Sequence, residues 1–219
     1  MGCSPIKRVR ELGSQGVVAA HYSKQHKSME KNYHNKNQLQ QQSANSTLIN
    51  LPLDLHSVLI GLMLGDGSLS RSSPTSNARL EMSFGQKYEE FALHLGNLFK
   101  DYMKNPVKSL EVKGKIKTYK NFRLKTKSLP LFAYYHDLFY QYNNELGKYK
   151  KVLPKNIKEI MDPIVLAYLI MTDGNFDKGR NRVRIYTNSF KKEEVENLAL
   201  AINNKLGIYA GVLHDRKDQ

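Results

Sequence analysis

Two aspartates, Asp66 and Asp173, each end an apolar run in an Asp-Gly pair and stand 107 positions apart. The runs are residues 59–67 (LIGLMLGDG) and 166–174 (LAYLIMTDG). Two carboxylates held close together repel, and Mg²⁺, which takes carboxylate, water and phosphate oxygens, relieves that repulsion. A metal held in this way activates water and stabilises the leaving oxygen of a phosphodiester. The matched pair therefore indicates a duplicated half-domain with metal-dependent chemistry on nucleic acid.

The composition of the chain favours a polyanionic partner. Its 219 residues include 34 Lys and Arg against 20 Asp and Glu, a formal net charge of +14, which is typical of proteins that bind DNA or RNA. No run approaches the roughly 18 apolar residues of a membrane-spanning helix, so we expect no membrane partner. The single cysteine, Cys3, excludes an internal disulfide and a zinc cluster built on thiolates.

The chain divides into a tail and two halves. Residues 1–50 are basic and rich in Asn and Gln, and such a segment is expected to be disordered. The first half, residues 51–150, begins with a helix that Asp54 caps and that runs to Leu64. After it we predict a strand at 79–84, a helix at 87–103, a hairpin at 107–127 turning at 113–115, and a helix at 128–142.

The second half, residues 151–219, repeats this order. Asp162 and Pro163 open a helix that Asp173 ends. We then predict a strand at 180–186, a helix at 191–206 and the start of a strand at 209–213. The second half has no room for a further strand and a closing helix, so we expect it to be incomplete at its C-terminal end.

Small residues predict how the two apolar helices meet. Small side chains allow two helix backbones to approach closely, and packing side by side would present Asp66 and Asp173 together at one end. The predicted contact residues are Gly61, Gly65, Ala167 and Thr172.

Basic side chains recur along the predicted strands. Because side chains alternate between the two faces of a strand, Arg180, Arg182 and Arg184 share one face. A row of this kind suits DNA phosphates and the guanine edges of the major groove. The residues predicted to contact DNA are Arg71, Arg79, Glu81, Ser83, Lys113, Lys115, Lys117, Arg123, Lys125, Lys127, Arg180, Arg182 and Arg184.

These motifs resemble the LAGLIDADG homing endonucleases, in their single-chain, two-motif, intron-encoded form. The resemblance covers residues 51–219. The matching positions are Leu59, Gly61, Leu62, Asp66 and Gly67 in the first motif, and Leu166, Ala167, Leu169, Ile170, Asp173 and Gly174 in the second.

The resemblance implies a mixed α/β (α+β) fold of two pseudo-symmetric αββαββα halves, whose antiparallel sheets form a saddle on a long double-stranded DNA site. It implies a monomer in which Asp66 and Asp173 bind Mg²⁺ or Mn²⁺ and cut the two strands. Gly65 and Thr172, which precede these aspartates, are assigned to the same metal site. Lys151 is the expected active-site base or charge stabiliser, and Gln86 is a further catalytic prediction.

The chain also departs from the family pattern. Leu64 and Met171 stand at the first acidic position of the motif, and Tyr168 replaces a glycine, so the helix contact must be looser or asymmetric. The second half lacks the expected final elements and the second active-site lysine, so a weakened or absent cutting activity is expected.

The resemblance implies a site-specific double-strand DNA endonuclease. An intron RNA maturase on the same fold would bind intron RNA, and a DNA-binding regulator on the same saddle would bind without metal; both stay open. Organellar introns usually encode such proteins, so a mitochondrion is the expected setting, with the chloroplast as the alternative.

Overall fold

The computed structural model describes residues 51–114 and 118–213. The predicted tail, residues 1–50, lies outside this part of the chain, as do Lys115 and Lys117 at the hairpin turn. Among the described residues, no helix combines the length and the apolar character needed to cross a bilayer.

The first half has seven elements in the predicted αββαββα order. They are α1 (Leu53–Leu64), β1 (Ser68–Arg71), β2 (Ala78–Gly85), α2 (Glu89–Leu98), β3 (Lys108–Lys113), β4 (Thr118–Lys125) and α3 (Pro130–Phe139). A hairpin and a one-turn helix follow, namely β5 (Tyr140–Asn143), β6 (Lys148–Lys151) and α4 (Ile157–Ile160). The described second half contains α5 (Pro163–Asp173), β7 (Gly174–Asp177), β8 (Arg182–Ile185) and α6 (Lys192–Leu206).

The first half is built on an antiparallel sheet with strand order β1-β2-β4-β3. Side chains of β2 alternate, with Ala78, Leu80, Met82 and Phe84 buried and Arg79, Glu81 and Ser83 on the opposite face. The register pairs Glu81 with Lys125 and Ser83 with Arg123. The polar side chains of β2 and β4 therefore form a single surface, which we call the basic face: Arg79, Glu81, Ser83, Arg123 and Lys125.

The two apolar helices lie at the centre of the core. Helix α1 is buried on nearly all sides, with Leu59, Ile60, Leu62 and Met63 fully inaccessible, because it packs against α5 within the common hydrophobic core. Asp162 joins the two helices: one carboxylate oxygen caps α5 by accepting from Val165 N at 2.8 Å. The other accepts from the Ser57 hydroxyl of α1 at 2.5 Å.

Several predicted boundaries in the first half are wrong. Asp54 does not cap α1, because Pro52 takes the N-cap position. Asp54 lies in the first turn, where a carboxylate interacts favourably with the helix dipole. The predicted helix 87–103 is shorter, because 3₁₀ turns at Gln86–Tyr88 and Lys100–Tyr102 flank α2. Helix α3 ends at Phe139 rather than at 142, since Tyr140 begins a hairpin in which Tyr140 pairs with Lys151.

Two predictions in the second half are also wrong. The strand predicted at 180–186 is only Arg182–Ile185, because Arg180 belongs to a 3₁₀ turn and Asn181 has a φ of 47° that reverses the chain. Residues 209–213 form no strand. The Asn203 side chain takes the place of a partner strand, donating to Ala210 O at 2.9 Å and accepting from Ala210 N at 2.8 Å.

Candidate active site and nucleic-acid interface

Glycines of α1 set the distance between the two central helices. A Cβ atom at Gly61 would lie 2.6 Å from the Val165 carbonyl oxygen and 2.7 Å from Tyr168 Cβ, so no larger residue fits without moving α5. A Cβ at Gly65 would lie 2.0 Å from the Thr172 hydroxyl oxygen. The α1 backbone therefore lies against the α5 backbone at Gly61 and against α5 side chains at Gly65.

On α5, the prediction that Ala167 lies in the helix contact is wrong, because Ala167 is exposed. Tyr168 has the position of the missing glycine: its Cβ packs on Gly61, while its ring stacks on His94 of α2 at 6.3 Å. The Tyr168 hydroxyl lies 2.8 Å from His94 Nε2. The close approach thus depends on Gly61 of α1 and on Gly65 at its C-terminal end, while the ring of Tyr168 is directed toward α2.

The helix contact brings the two motif carboxylates to one end of the pair. Asp173 is the last residue of α5, and its Oδ2 would lie 2.8 Å from a Cβ placed on Gly65. Asp66 follows Gly65 directly and is exposed. Burial and, next, the negative charge of Asp66 raise the pKa of Asp173 to about 6, although Lys151 opposes the shift. The two carboxylates are therefore electrostatically coupled.

Lys151 completes this group from a distant part of the chain. It is the last residue of β6, and its Nζ donates to the carbonyl oxygens of Gly65 at 2.6 Å and Gly67 at 2.9 Å. Burial lowers the pKa of Lys151 to about 8, while the charges of Asp173 and Asp66 act in the opposite direction. A side chain with this pKa exists in both protonation states near neutral pH.

Other predicted site residues have plain structural contacts. The Thr172 hydroxyl donates within its own helix, to Tyr168 O at 3.1 Å and Leu169 O at 3.0 Å. The Gly65 carbonyl accepts from Lys151, and Gln86 is an exposed residue in the turn after β2.

The oxygen-rich site fits a hard divalent cation. Within the described ranges, no three or more His, Cys, Asp or Glu side chains are placed to hold a metal ion, so the protein offers a carboxylate pair rather than a full cage. Mg²⁺ suits such a pair, since it keeps several waters and binds through one or two carboxylates plus substrate phosphates. Asp66 and Asp173 are the residues that would hold it.

One carboxylate organises the basic face of the first half. Glu81 accepts from Arg79 at 2.5 Å and Arg123 at 3.2 Å, and lies 3.3 Å from Lys125 Nζ. Partial burial alone would raise the pKa of Glu81, but the hydrogen bonds from these three cations outweigh burial and hold the pKa below its usual range.

The second half also contains one acid surrounded by three cations. Asp177, at the end of β7, lies 3.5 Å from Arg180, 3.3 Å from Arg182 and 2.9 Å from Arg184. Burial alone would raise the pKa of Asp177, but the hydrogen bonds and charges of the three arginines, led by Arg182, together outweigh burial and hold the pKa below its usual range. The three predicted arginines therefore converge on one acid. Asp177 was not among the predicted site residues, although its position as a single acid close to three arginines in the sequence was a signal for this role.

Two further predicted DNA contacts have other roles. Arg71 is only 11% exposed and binds Asp137 at 2.5 Å and the Ser76 carbonyl at 2.8 Å, so it fastens β1 to α3 and is removed from the predicted DNA-contacting set. Lys127 donates to the Asp101 carbonyl at 3.0 Å. Lys113 lies at the exposed end of β3.

A comparison with known protein families decides the assignment. A family model described as the LAGLIDADG DNA endonuclease family matches residues 56–219. The chain belongs to the LAGLIDADG DNA endonuclease family. The predicted family is thereby confirmed.

Solved structures show the same fold. The LAGLIDADG chain described here superposes on the homing endonuclease I-WcaI bound to its DNA recognition sequence with a TM-score of 0.65, at 23% identity, over 80% of each chain. This likeness confirms the mixed α/β fold with antiparallel sheets. I-DmoI in complex with DNA and Mn is more distant, with a TM-score of 0.44, 22% identity, and 76% and 85% of the two chains covered.

Curated LAGLIDADG relatives include proteins of two activities. Cytochrome b mRNA maturase bI2 of Saccharomyces cerevisiae is 28% identical over 193 residues, which are 84% of this chain and 44% of that protein. DNA endonuclease I-ChuI of Chlamydomonas applanata is 24% identical over 141 residues, 62% of this chain and 65% of that protein. The chain spans about half to two thirds of the length of these relatives.

Proposed function

We propose that this chain is a site-specific DNA endonuclease that hydrolyses both strands with a divalent metal, Mg²⁺ or Mn²⁺, held by Asp66 and Asp173. The observation that carries the proposal is the convergence of Asp66, Asp173 and Lys151 at one end of the helix pair. The raised pKa of Asp173 and the lowered pKa of Lys151 support it, because perturbed pKa values cluster at functional sites.

The metal would supply two effects when bound, namely activation of water and neutralisation of charge on the reacting phosphate. The protein groups supply the rest. Asp66 and Asp173 come from the ends of two tightly packed helices, so their separation is fixed by the Gly61 and Gly65 contacts rather than by mobile loops.

Lys151 is proposed as the group that moves a proton. In its neutral form the amine retains two N–H groups, which match the two carbonyls of Gly65 and Gly67, and its lone pair remains free to accept a proton from water. A base with a pKa near the working pH is effective in this role. Gln86 stays a secondary prediction.

The basic face is proposed to hold the DNA. Its three cations surround Glu81, and three arginines of the second half surround Asp177 in the same way, so each group of cations is partly neutralised by a single acid. The Asp177 group is proposed to hold the DNA together with the basic face. Phosphates or guanine edges would compete with these carboxylates for the same guanidinium groups. The partner is therefore a long duplex that spans both halves of a monomer.

A maturase activity is the second candidate, and its support is the 28% identity to the yeast maturase. A maturase would bind intron RNA and need no cleavage. The same relative supports a mitochondrion as the proposed setting, since it is named for a cytochrome b mRNA.

Cleavage of a plasmid that carries the intronless junction of the host gene separates the two candidates. The endonuclease proposal expects linear plasmid when Mg²⁺ is present and intact plasmid when EDTA is added. Tight binding to the intron transcript with no cleavage of the junction in either condition would favour the maturase.

A further inference from the structure

A cavity of about 340 Å³ opens where the two halves are joined. Its walls come from the β5–β6 hairpin, the segment 152–156, α4 and the start of α6, and we call it the linker cleft. Four lysines from these separate segments line it: Lys150, Lys155, Lys158 and Lys191. All four are exposed, so their ammonium groups are accessible to a ligand.

The charge of the linker cleft is poorly neutralised. None of the four lysines forms an ion pair with a carboxylate in the described part of the chain. The acid that lines the cleft, Glu194, is already engaged: it accepts from the backbone N–H of Leu153 at 2.9 Å and from that of Lys191 at 2.7 Å. Glu194 thus ties the linker to α6 and holds two walls of the cleft together.

The linker cleft is separate from the proposed active site. Neighbouring side chains of a strand point to opposite faces, and Lys151 points to the carbonyls of Gly65 and Gly67. Lys150, its neighbour in β6, therefore points away from the carboxylate pair and lines the cleft with Gln141, its cross-strand partner. The proposed cleavage chemistry leaves these lysines without a role.

We propose that the linker cleft binds the sugar-phosphate backbone of a second nucleic-acid strand, independently of the basic face. Four ammonium groups against one engaged carboxylate favour a polyanion. The described residues that line the cleft include no aromatic side chain, so bases have no stacking surface and the backbone is the part recognised. The amides of Gln141 and Asn197 add hydrogen-bonding groups suited to phosphate and sugar oxygens.

Fluorescence anisotropy with single-stranded oligonucleotides of about 16 nucleotides, one DNA and one RNA of the same sequence, tests this proposal on the full chain. The cleft variant combines Lys155→Ser, Lys158→Ser and Lys191→Ser. The control variant removes the same charge elsewhere on the surface through Lys100→Ser, Lys104→Ser and Lys205→Ser. A third variant, Lys155→Arg with Lys158→Arg and Lys191→Arg, retains the charge, and circular dichroism verifies that all variants fold.

The cleft variant is expected to make the negative slope of log affinity against log salt shallower by about 2, since each lost contact to a single strand removes about 0.7 from its magnitude. The arginine variant should retain the wild-type slope, and the control variant should change it much less than the cleft variant does. Loss with RNA alone would identify a transcript as the source of the strand, whereas equal loss with both oligonucleotides would identify any phosphodiester strand. Equal changes in cleft and control variants, or no change in either, would overturn the proposal.

Discussion

Lys151 donates a hydrogen bond to the carbonyl oxygen of Gly65 at 2.6 Å, although 86 residues separate them in the chain. The contact brings the end of a hairpin to the residue that precedes the first motif aspartate. It fixes a titratable amine beside two carboxylates that belong to different halves of the molecule.

The role of Lys151 as a base can be tested by substitution. Lys151→Arg retains the positive charge but cannot lose a proton near neutral pH. Lys151→Met has neither the positive charge nor a group that accepts a proton. If the neutral amine accepts the proton, both variants should cleave at least about 10²-fold more slowly than wild type. Single-turnover cleavage of the junction measures this, and near-normal cleavage by Lys151→Arg would instead assign Lys151 to charge stabilisation.

The same assignment predicts a pH dependence. Because the folded pKa of Lys151 is lowered to about 8, the neutral amine increases as the pH rises toward 8. The wild-type cleavage rate should therefore rise with pH and level off above about 8. A rate that falls over this range would contradict a neutral lysine base.

Packing of the two central helices gives a stability prediction. Gly61→Ala places a Cβ 2.6 Å from a backbone oxygen, and a backbone atom cannot rotate away, so we expect a loss of about 1–3 kcal/mol in the free energy of unfolding. Urea denaturation measures the change. Gly85→Ala is the matched control, since a Cβ there meets nothing within 4 Å; equal effects of the two substitutions would refute the close packing.

The carboxylate pair should make the metal-free protein less stable above pH 6. The folded pKa of Asp173 is raised from 3.8 to about 6, so the folded state resists ionisation of this group. That cost is fully present above about pH 6 and disappears as the pH falls toward 3.8. Asp173→Asn should therefore be more stable than wild type at neutral pH, by about 1 kcal/mol after solvent screening.

Urea denaturation without metal, at neutral and at acidic pH, measures the effect. Asp101→Asn, which removes an exposed acid elsewhere, is the control. Added Mg²⁺ should stabilise wild type and leave Asp173→Asn unchanged. A less stable Asp173→Asn at neutral pH would show that the carboxylate pair is not strained.

The two acid-centred clusters should limit non-specific DNA binding. Glu81→Gln and Asp177→Asn each release three cations from a carboxylate. Each variant should bind a random duplex more tightly, with a salt slope steeper by about 1. Titrations at several salt concentrations measure this, with Glu196→Gln on α6 as a charge-matched control; unchanged slopes in both variants would mean that the acids do not compete with DNA.

Local signals in the sequence predicted the elements that hold the site. The alternation in β2 and the Asp162 cap of α5 depend on neighbouring residues only, and both predictions agree with the structure. Two of the wrong predictions depend on contacts with residues outside the predicted segment. Tyr140 leaves the helix because Lys151 pairs with it, and residues 209–213 form no strand because Asn203 satisfies Ala210.

The residues of the candidate site were predicted from the sequence, but the hydrogen bonds between them were not. The motif spacing identified Asp66 and Asp173, whereas the contact of Lys151 with Gly65 depends on a hairpin that the helical pattern at 128–142 concealed. Asp177 was missed because β7 is four residues long and too short to show a clear alternation.

The most direct test of the central claim compares wild type with Asp66→Asn and Asp173→Asn on a supercoiled plasmid that carries the intronless junction, in Mg²⁺. If the two carboxylates hold the metal together, wild type should linearise the plasmid and each substitution should abolish linearisation while leaving duplex binding intact. Linearisation at the wild-type rate by either variant would contradict the account.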